Sequence, residues 1–201
     1  MEKDRKKYKS YKKTGIDWLG DIPDHWKEFN LNRAATFFNG KAIDTTIEND
    51  GTIPIIGAGG AFSHTDSYIF NGESVLFGNR GTVGKPIYMD GPFFPITTIF
   101  YTKVNKNNYT KFIYYLSTCI PLQRDSTYAA MYAISKEKIS QQKVAAPEIN
   151  EQIEISNFLD LEVGKIDAAI EKLKKIMDLF LELKSSTITS AVTGKIDLRD
   201  F

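Results

Sequence analysis

The sequence predicts an α+β fold: a mainly β domain with short helices, followed by one long coiled-coil-forming α-helix. Between about residues 40 and 105, Gly and Pro separate short runs of β-branched and aromatic residues, a spacing typical of a compact β domain with long turns. From residue 150 to residue 190 the chain contains no Pro and one Gly, so that a helix of about 60 Å can continue without a break.

The elements of the domain follow in order from local patterns. Residues 14 to 40 combine two Trp residues and a Pro turn with a short alternating segment and a short amphipathic stretch that ends at Gly40. The segment YTKFIYYLSTCI, residues 109 to 120, has helical periodicity and stops before Pro121. The runs predicted to form strands are TIPIIG, SYIF, SVLFG, KPIYM, ITTIFYTKV and, at the end of the domain, KVAAP.

The long helix carries a heptad seam of apolar residues. Successive seam positions are four, three, four, three, four and three residues apart, as in a helix that pairs with another helix. A helix that folds back along its own domain is the alternative. Asn150 is expected to cap its N-terminus, with Glu151 in the first turn, and Gly194 to end it. The predicted dimerisation and partner residues are Leu159, Val163, Ile166, Ile170, Leu173, Met177 and Phe180.

The formal net charge of +1 hides an uneven distribution. Residues 1 to 13 hold seven basic and two acidic side chains, whereas residues 14 to 150 hold twelve and thirteen. A basic run of this kind is either a solvated tail or a contact for phosphates. Cys119 is the single cysteine, which fits a reducing compartment. Because no apolar run approaches the length of a membrane span, we expect a cytoplasmic chain without membrane contact.

Several chemistries are excluded by spacing. In GNRGTVGKP, residues 78 to 86, five residues separate Gly78 from Gly84 instead of four, and Pro86 stands where a phosphate-binding loop needs Ser or Thr. GAGG, residues 57 to 60, lacks the third Gly of a dinucleotide fingerprint. Two His and one Cys without a paired motif predict no metal site. The chain is therefore expected to bind no cofactor or metal.

Catalytic residues are not predicted either. Asp167, Glu182 and Lys184 imitate the acidic and Glu-x-Lys elements of a nuclease, but they lie in the heptad helix, where no cleft is expected. No Asn/Asp-Pro-Pro-Tyr motif is present with which an amino-methyltransferase would hold a flipped adenine. The sequence therefore indicates a binding protein and not an enzyme.

If the domain binds DNA, it needs basic groups for phosphates and polar side chains for base edges, and the candidates, Ser63 and His64 among them, are expected in the Gly-rich turns. Arg80 leads them, because a guanidinium matches two acceptors of guanine and neighbouring glycines let a loop approach a groove closely; a surface turn without DNA contact is the alternative. A second cluster is QRDSTYAAMY, residues 123 to 132, whose aromatics are either core residues or base contacts. The predicted DNA-binding residues are Lys41, Ser63, His64, Asn79, Arg80, Thr82, Lys85, Arg124, Tyr128 and Tyr132.

Four stretches together resemble a known family. They are DWLGDIPDHW (17 to 26), ESVLFGNRGTVGKPIYM (73 to 89), APEINEQIEISNFLD (146 to 160) and LKSSTITSAVTGKIDL (183 to 198). Their order and spacing resemble those of the DNA-specificity (S) subunit of type I restriction-modification systems. The family usually has two prolines before its Glu-Gln pair, whereas this chain has Pro147 alone before Glu151 and Gln152.

The resemblance implies a domain organisation. It divides the chain into a basic N-terminal tail (1 to 13), a target-recognition domain that binds DNA (14 to 148), a long spacer and dimerisation helix (149 to 191) and a C-terminal tail (192 to 201). Family members typically carry two recognition domains and two long helices, so this chain resembles a half-subunit. Two copies that pair antiparallel about a two-fold axis would restore the complete arrangement and read a split palindrome.

The resemblance also implies partners. A homodimer would bind double-stranded DNA, methyltransferase (modification) subunits that use S-adenosylmethionine would dock on the helices, and a restriction subunit would use ATP and Mg²⁺. The chain itself would be a non-catalytic specificity subunit. The alternative is a coiled-coil protein-interaction adaptor without DNA specificity, which the heptads and the nearly neutral domain would also permit.

Overall fold

The computed structural model describes residues 7 to 43, 51 to 80, 83 to 122 and 133 to 199. The chain divides into two compact units, one that ends at Ser156 and one that begins at Asn157. Mixed β-sheets and short helices lie in the first unit, and a long helix that starts in the first unit continues through the second. The predicted fold class is confirmed.

The first of the two larger sheets is antiparallel. Its strands are β4 (Ala35–Asn39), β8 (Ser74–Gly78), β9 (Ile87–Met89) and β11 (Ile99–Val104), in the spatial order β4-β11-β8-β9. All five residues of β8 are buried, as its continuous apolar sequence predicts. The buried hydroxyl of Ser74 donates to the carbonyl oxygen of Thr102 at 2.7 Å, and that of Thr102 donates to the carbonyl oxygen of Val75 at 2.9 Å. These bonds satisfy the polar groups that the core encloses.

The second larger sheet is mixed. It contains β5 (Ile53–Gly57), β6 (Gly60–Thr65), β7 (Phe70–Asn71) and β10 (Pro92–Pro95), in the order β6-β5-β10-β7. Strands β5 and β6 form a hairpin, and β10 lies parallel to β5 with Phe94 opposite Ile55. A core of Ile56, Leu76, Phe93, Ile99 and Tyr101 joins this sheet to the first one.

Two small sheets complete the strands. β1 (Tyr11–Lys13) pairs with β2 (Asp21–Pro23), so part of the predicted basic tail takes part in a sheet. β3 (Lys27–Asn30) pairs with β12 (Lys143–Ala146), which confirms the strand predicted from KVAAP. The amphipathic stretch before Gly40 forms a 3₁₀ turn (Leu31–Arg33) followed by β4.

Two short helices contribute apolar side chains to the larger core. Helix α1 (Thr110–Cys119) matches the predicted segment and buries Phe112, Ile113 and Leu116 in the larger core. Helix α2 (Lys136–Ser140) was not predicted; the side chain of Ser135 caps it by accepting from the backbone N–H of Lys138 at 3.2 Å. Such N-caps stabilise even a short helix by about 1 kcal/mol.

Helix α3 (Ile149–Val192) has 44 residues. It begins one residue before Asn150, so the predicted cap lies inside the first turn. Gly194, with φ of 68°, follows its last turn. The backbone N–H of Gly194 donates to the carbonyl oxygen of Ala191, and that of Lys195 donates to Ser190. This is the Schellman arrangement, in which a glycine adopts the left-handed conformation that ends a helix.

Candidate nucleic-acid interface

Asn79 follows directly after β8 and fixes the start of the connection to β9. Its backbone N–H donates to the carbonyl oxygen of Thr98 at 2.9 Å, and its side-chain Nδ2 donates to that of Thr97 at 2.8 Å. Both acceptors belong to residues 96 to 98, which link β10 to β11 and which we call the central turn. The side-chain Oδ1 of Asn79 is buried and has no partner among the described residues.

Lys41 is held against the same turn from another strand. Its backbone N–H donates to the carbonyl oxygen of Pro95 at 3.0 Å, and it forms a parallel bridge with Ile96. The preceding Gly40 approaches so closely that a Cβ atom would lie 2.0 Å from the carbonyl oxygen of Ile96. Only a glycine fits there without displacement of the backbone. The side chain of Lys41 is exposed.

Arg80 is exposed and lies on a backbone that is paired on one side. It forms an antiparallel bridge with Ala133, and the backbone N–H of Ile134 donates to the carbonyl oxygen of Asn79 at 3.0 Å. Ala133 is the first described residue after the segment 123 to 132. The residue that follows the predicted cluster 123 to 132 is therefore paired with Arg80, the leading candidate of the Gly-rich connection.

Four predicted residues, Thr82, Arg124, Tyr128 and Tyr132, lie outside the described ranges. Lys85 is exposed and belongs to the same connection as Arg80; it follows Gly84, whose φ is 85°. The structure therefore brings Lys41 and Asn79 to the central turn, with Arg80 next to Asn79 in the chain and paired with Ala133. Lys85 lies in the connection that starts at Asn79.

Ser63 and His64 were expected in a Gly-rich turn, and this expectation was wrong: both lie in strand β6. The tight turn at residues 57 to 60 connects β5 to β6 in a hairpin. The residues that follow the turn therefore pair with β5. Ser63 lies opposite Ile55, which lies opposite Phe94. Two strand spacings of about 4.8 Å separate Ser63 from β10, so these residues flank the central turn on the neighbouring sheet.

Sequence reasoning did not select three exposed residues of the same region. Phe62 and Tyr68 are 62% and 57% exposed, and Thr97 lies exposed in the central turn. The ring of Phe62 lies close to Gly57, because a Cβ atom added to Gly57 would be 3.3 Å from that ring. The alternation of side chains along β6 could have indicated that one face of this strand is exposed. No local signal in the sequence identifies which of the two faces it is.

The predicted seam residues all lie on α3. Five of them, Ile166, Ile170, Leu173, Met177 and Phe180, are between 43% and 65% exposed, and Leu159 and Val163 are half-buried. Other exposed apolar side chains of α3 were not included in the seam; four of them, at positions 176 to 183, are Ile176, Leu179, Leu181 and Leu183. At about 100° per residue, the apolar side chains of positions 173 to 183 cover roughly 200° of the helix circumference.

Within the described part of the chain, no group of three His, Cys, Asp or Glu side chains is arranged to hold a metal ion. Of the helices described, none combines the length and the apolar character that crossing a membrane requires.

Comparison with known proteins gives a consistent result. A model of the type I restriction modification DNA specificity domain matches residues 23 to 178. The specificity subunit of the type I restriction enzyme EcoDI from Escherichia coli is 23% identical over 181 residues, which cover 88% of this chain and 40% of that subunit. The chain thus spans about two fifths of the length of this curated relative.

Solved structures share the fold at low identity. The S subunit of a type I restriction-modification system from M. genitalium has a TM-score of 0.62 and 16% identity, with 82% of this chain and 45% of that chain covered. A chain from a structural study of complex assembly and conformational transition in the type I R-M system has a TM-score of 0.68 and 16% identity, with 86% and 47% covered.

Proposed function

This chain belongs to the family of type I restriction modification DNA specificity domains, and on that premise we propose that it binds double-stranded DNA in a sequence-specific manner. Its relatives bear the names of specificity subunits. The chain accordingly reads DNA for a larger enzyme and does not itself cut or methylate. Residues 14 to 148 form the reading domain, to whose β2 strand β1 of the basic N-terminal segment is added. Residues 149 to 191 form the spacer helix.

The observation that carries the proposal is the convergence of separate strands on the central turn. Lys41 and the consecutive pair Asn79 and Arg80 come from different parts of the chain. Hydrogen bonds fix the backbones of Lys41 and Asn79 at Pro95 and Thr98, and a bridge to Ala133 fixes that of Arg80. A rigid backbone lowers the entropy that an exposed side chain loses on binding. Exposed cations on such a backbone suit a groove in which phosphates supply affinity and base edges supply specificity.

The proposed roles follow from side-chain chemistry. The guanidinium of Arg80 contacts the O6 and N7 acceptors of a guanine, and the ammonium groups of Lys41 and Lys85 contact phosphates. Ser63 and His64 extend the contact on the neighbouring sheet. Thr82, Arg124, Tyr128 and Tyr132 complete the proposed interface.

Helix α3 pairs with the helix of a second copy through its seam. Apolar side chains such as Ile170, at 43% exposure, and Leu173, at 64%, are uncovered in the single chain, and heptad spacing matches a partner helix. A two-fold axis between two such readers places identical half-sites in inverted orientation. The target is therefore a split palindrome.

The same helix also binds the methyltransferase subunits. A single helix partner covers a stripe of roughly 100°, whereas the apolar arc at positions 173 to 183 is about twice as wide. Leu179 and Leu183 lie on the part of the arc that faces away from the seam. This second face suits helices of a modification subunit, to which a restriction subunit is then added.

Selection from random duplexes with the purified chain tests the proposal. Enrichment of one motif in two inverted halves supports sequence-specific binding by a pair of copies. An enriched motif without symmetry supports specific binding but contradicts the pairing of like copies. Absence of any enrichment, with the modification subunit also present, would favour the protein-interaction adaptor.

A further inference from the structure

The first turn of α3 is fastened to the domain by the carboxylate of Glu151. The hydroxyl of Tyr8 donates to its Oε1 at 2.7 Å, and the indole Nε1 of Trp26 donates to the same atom at 3.1 Å. The Nε2 of His25 lies 2.8 Å from its Oε2. An ionised carboxylate can only accept, so this imidazole nitrogen carries a proton. Three donors from two remote segments thus share one acceptor group.

The electrostatics agree with this arrangement. Burial opposes ionisation of Glu151, but the hydrogen bonds from Tyr8, His25 and Trp26 outweigh it and hold the pKa of Glu151 below its ordinary value of 4.5. Burial, followed by the bond to Glu151, raises the pKa of Tyr8 to about 12. Both groups therefore keep the protonation states that the cluster needs near neutral pH.

The neighbouring Gln152 fastens the opposite side of the turn. This side chain is buried, with 1% exposure. Its Nε2 donates to the carbonyl oxygen of Pro147 at 2.9 Å and to Asn108 at 3.2 Å, and its Oε1 accepts from the backbone N–H of Tyr109 at 2.9 Å. Glu151, Gln152 and all of their partners belong to the first compact unit. The start of α3 is accordingly part of the domain.

We propose that Glu151 is the positioning residue that fixes the start of α3 on the recognition domain and thereby sets the spacing at which two paired readers engage DNA. The spacing part of this inference rests on the proposed function. Its basis is that side chains 125 to 143 residues away in sequence converge on one group. Two of the stretches that resemble the family, residues 17 to 26 and 146 to 160, thereby meet at this carboxylate.

Glu151→Ala removes all three contacts, and Glu154→Ala is the matched control. Glu154 lies one turn further along the same helix and is exposed. Its replacement removes the same charge but none of the three hydrogen bonds, and its influence on the cluster is a weak electrostatic effect on Tyr8. Glu151→Gln is the conservative variant. Its amide oxygen still accepts from Tyr8 and Trp26, and its amide nitrogen can donate to the other tautomer of His25.

Two measurements are made on the full chain. Amide hydrogen exchange at residues 149 to 156 reports whether the first turn stays fastened. Binding to DNA duplexes with two selected half-sites at the best spacing, and at spacings one or two base pairs longer or shorter, reports discrimination. A duplex with a single half-site reports intact reading, and thermal unfolding reports intact folding.

We expect Glu151→Ala to speed exchange in the first turn and to reduce discrimination between spacings by about tenfold, the effect of one lost hydrogen bond to a charged group. Binding to the single half-site should stay within about twofold, because the central turn is untouched. Glu151→Gln should restore most of the discrimination, and Glu154→Ala should match the unmodified chain.

Unchanged exchange in a folded Glu151→Ala variant overturns the inference. So does unchanged discrimination, provided that the unmodified chain discriminates between spacings. If Glu151→Ala does not fold, Glu151→Gln decides. Faster exchange in the first turn of Glu151→Gln than in Glu154→Ala and the unmodified chain supports the inference, and equal exchange in all three overturns it. An unmodified chain that binds all spacings alike contradicts the proposed pairing of two copies. The inference that Glu151 sets the spacing then fails as well. Hydrogen exchange alone then decides whether Glu151 fastens the start of α3 to the domain.

Discussion

The side-chain amide of Asn79 donates to the carbonyl oxygen of Thr97 at 2.8 Å. This bond joins the connection that follows β8 to the turn between β10 and β11. Because β8 and β10 belong to different sheets, one side chain couples both sheets at the point where the candidate DNA contacts converge. Changes at this turn should therefore affect DNA binding and folding in separable ways.

Arg80→Ala should weaken binding to the specific sequence by about 1–3 kcal/mol, since a bidentate contact to guanine is lost, and should affect nonspecific DNA less. Titration of both DNAs at two salt concentrations measures the difference. Arg33→Ala is the control, because Arg33 is also an exposed arginine and lies beside the opposite ends of β4 and β11. Equal losses of affinity for specific and nonspecific DNA would mean that Arg80 contacts a phosphate and not a base.

Gly40→Ala should destabilise the domain by about 1–3 kcal/mol, because the new methyl group has no space beside Ile96 and forces the strand outward. Urea unfolding measures the change. Gly59→Ala provides the control, since no atom lies within 4 Å of the Cβ that it would add. If the two variants are equally stable, the close approach at Gly40 does not constrain the turn.

Ile170→Asp should convert a dimer to a monomer, because it places a carboxylate in the middle of the proposed seam. Light scattering gives the mass. Lys175→Asp is the control on the other side of the same helix, about 140° away at 100° per residue. A dimeric mass for Ile170→Asp would mean that the copies associate elsewhere, and a monomeric unmodified chain would contradict pairing altogether.

Leu179→Asp should leave the dimer intact and reduce co-purification of the methyltransferase subunit, because residue 179 lies about 180° around the helix from residue 170. Its side chain is 65% exposed, so the substitution should not disturb the fold of the single chain. Mass measurements with and without the modification subunit separate the two effects. Loss of the dimer would mean that Leu179 and the seam residues belong to one and the same interface between the two copies.

The stability difference between the unmodified chain and Glu151→Gln should depend on pH. The pKa of Glu151 is lowered in the folded chain from its ordinary value of 4.5. The ionised form therefore adds stability above that pH, and the addition disappears as the pH falls through the lowered value. Urea midpoints should differ at pH 7 and converge at acidic pH, once the pH has fallen below the lowered pKa. A difference that stays constant with pH would exclude a role for the charge.

Local patterns were sufficient for the helices with strong periodicity. Helix α1 follows from residues 109 to 120, and α3 follows from unbroken heptads. Strand β10 was missed because its sequence, PFFP, begins and ends with proline, a residue that normally marks a boundary. Its pairing with β5 connects residues almost forty positions apart, and no local signal carries such information.

The site was predictable to a similar degree. Glycines and polar residues indicated the connection after β8, but the arrival of Lys41 at the central turn depends on a bridge to Ile96. The cluster at Glu151 could not be predicted, because its donors Tyr8, His25 and Trp26 lie 125 to 143 positions away. Contacts of this separation arise from the packing of the whole domain.

The wide apolar arc of α3 also has a consequence for the cell. A helix with Leu173, Met177 and Phe180 uncovered on one side and Leu179 and Leu183 on another is an aggregation hazard when it is synthesised in excess. Chaperones and proteases remove chains that expose such surfaces. We therefore expect the abundance of this protein to follow the supply of its binding partners, so that balanced synthesis becomes a requirement built into the helix.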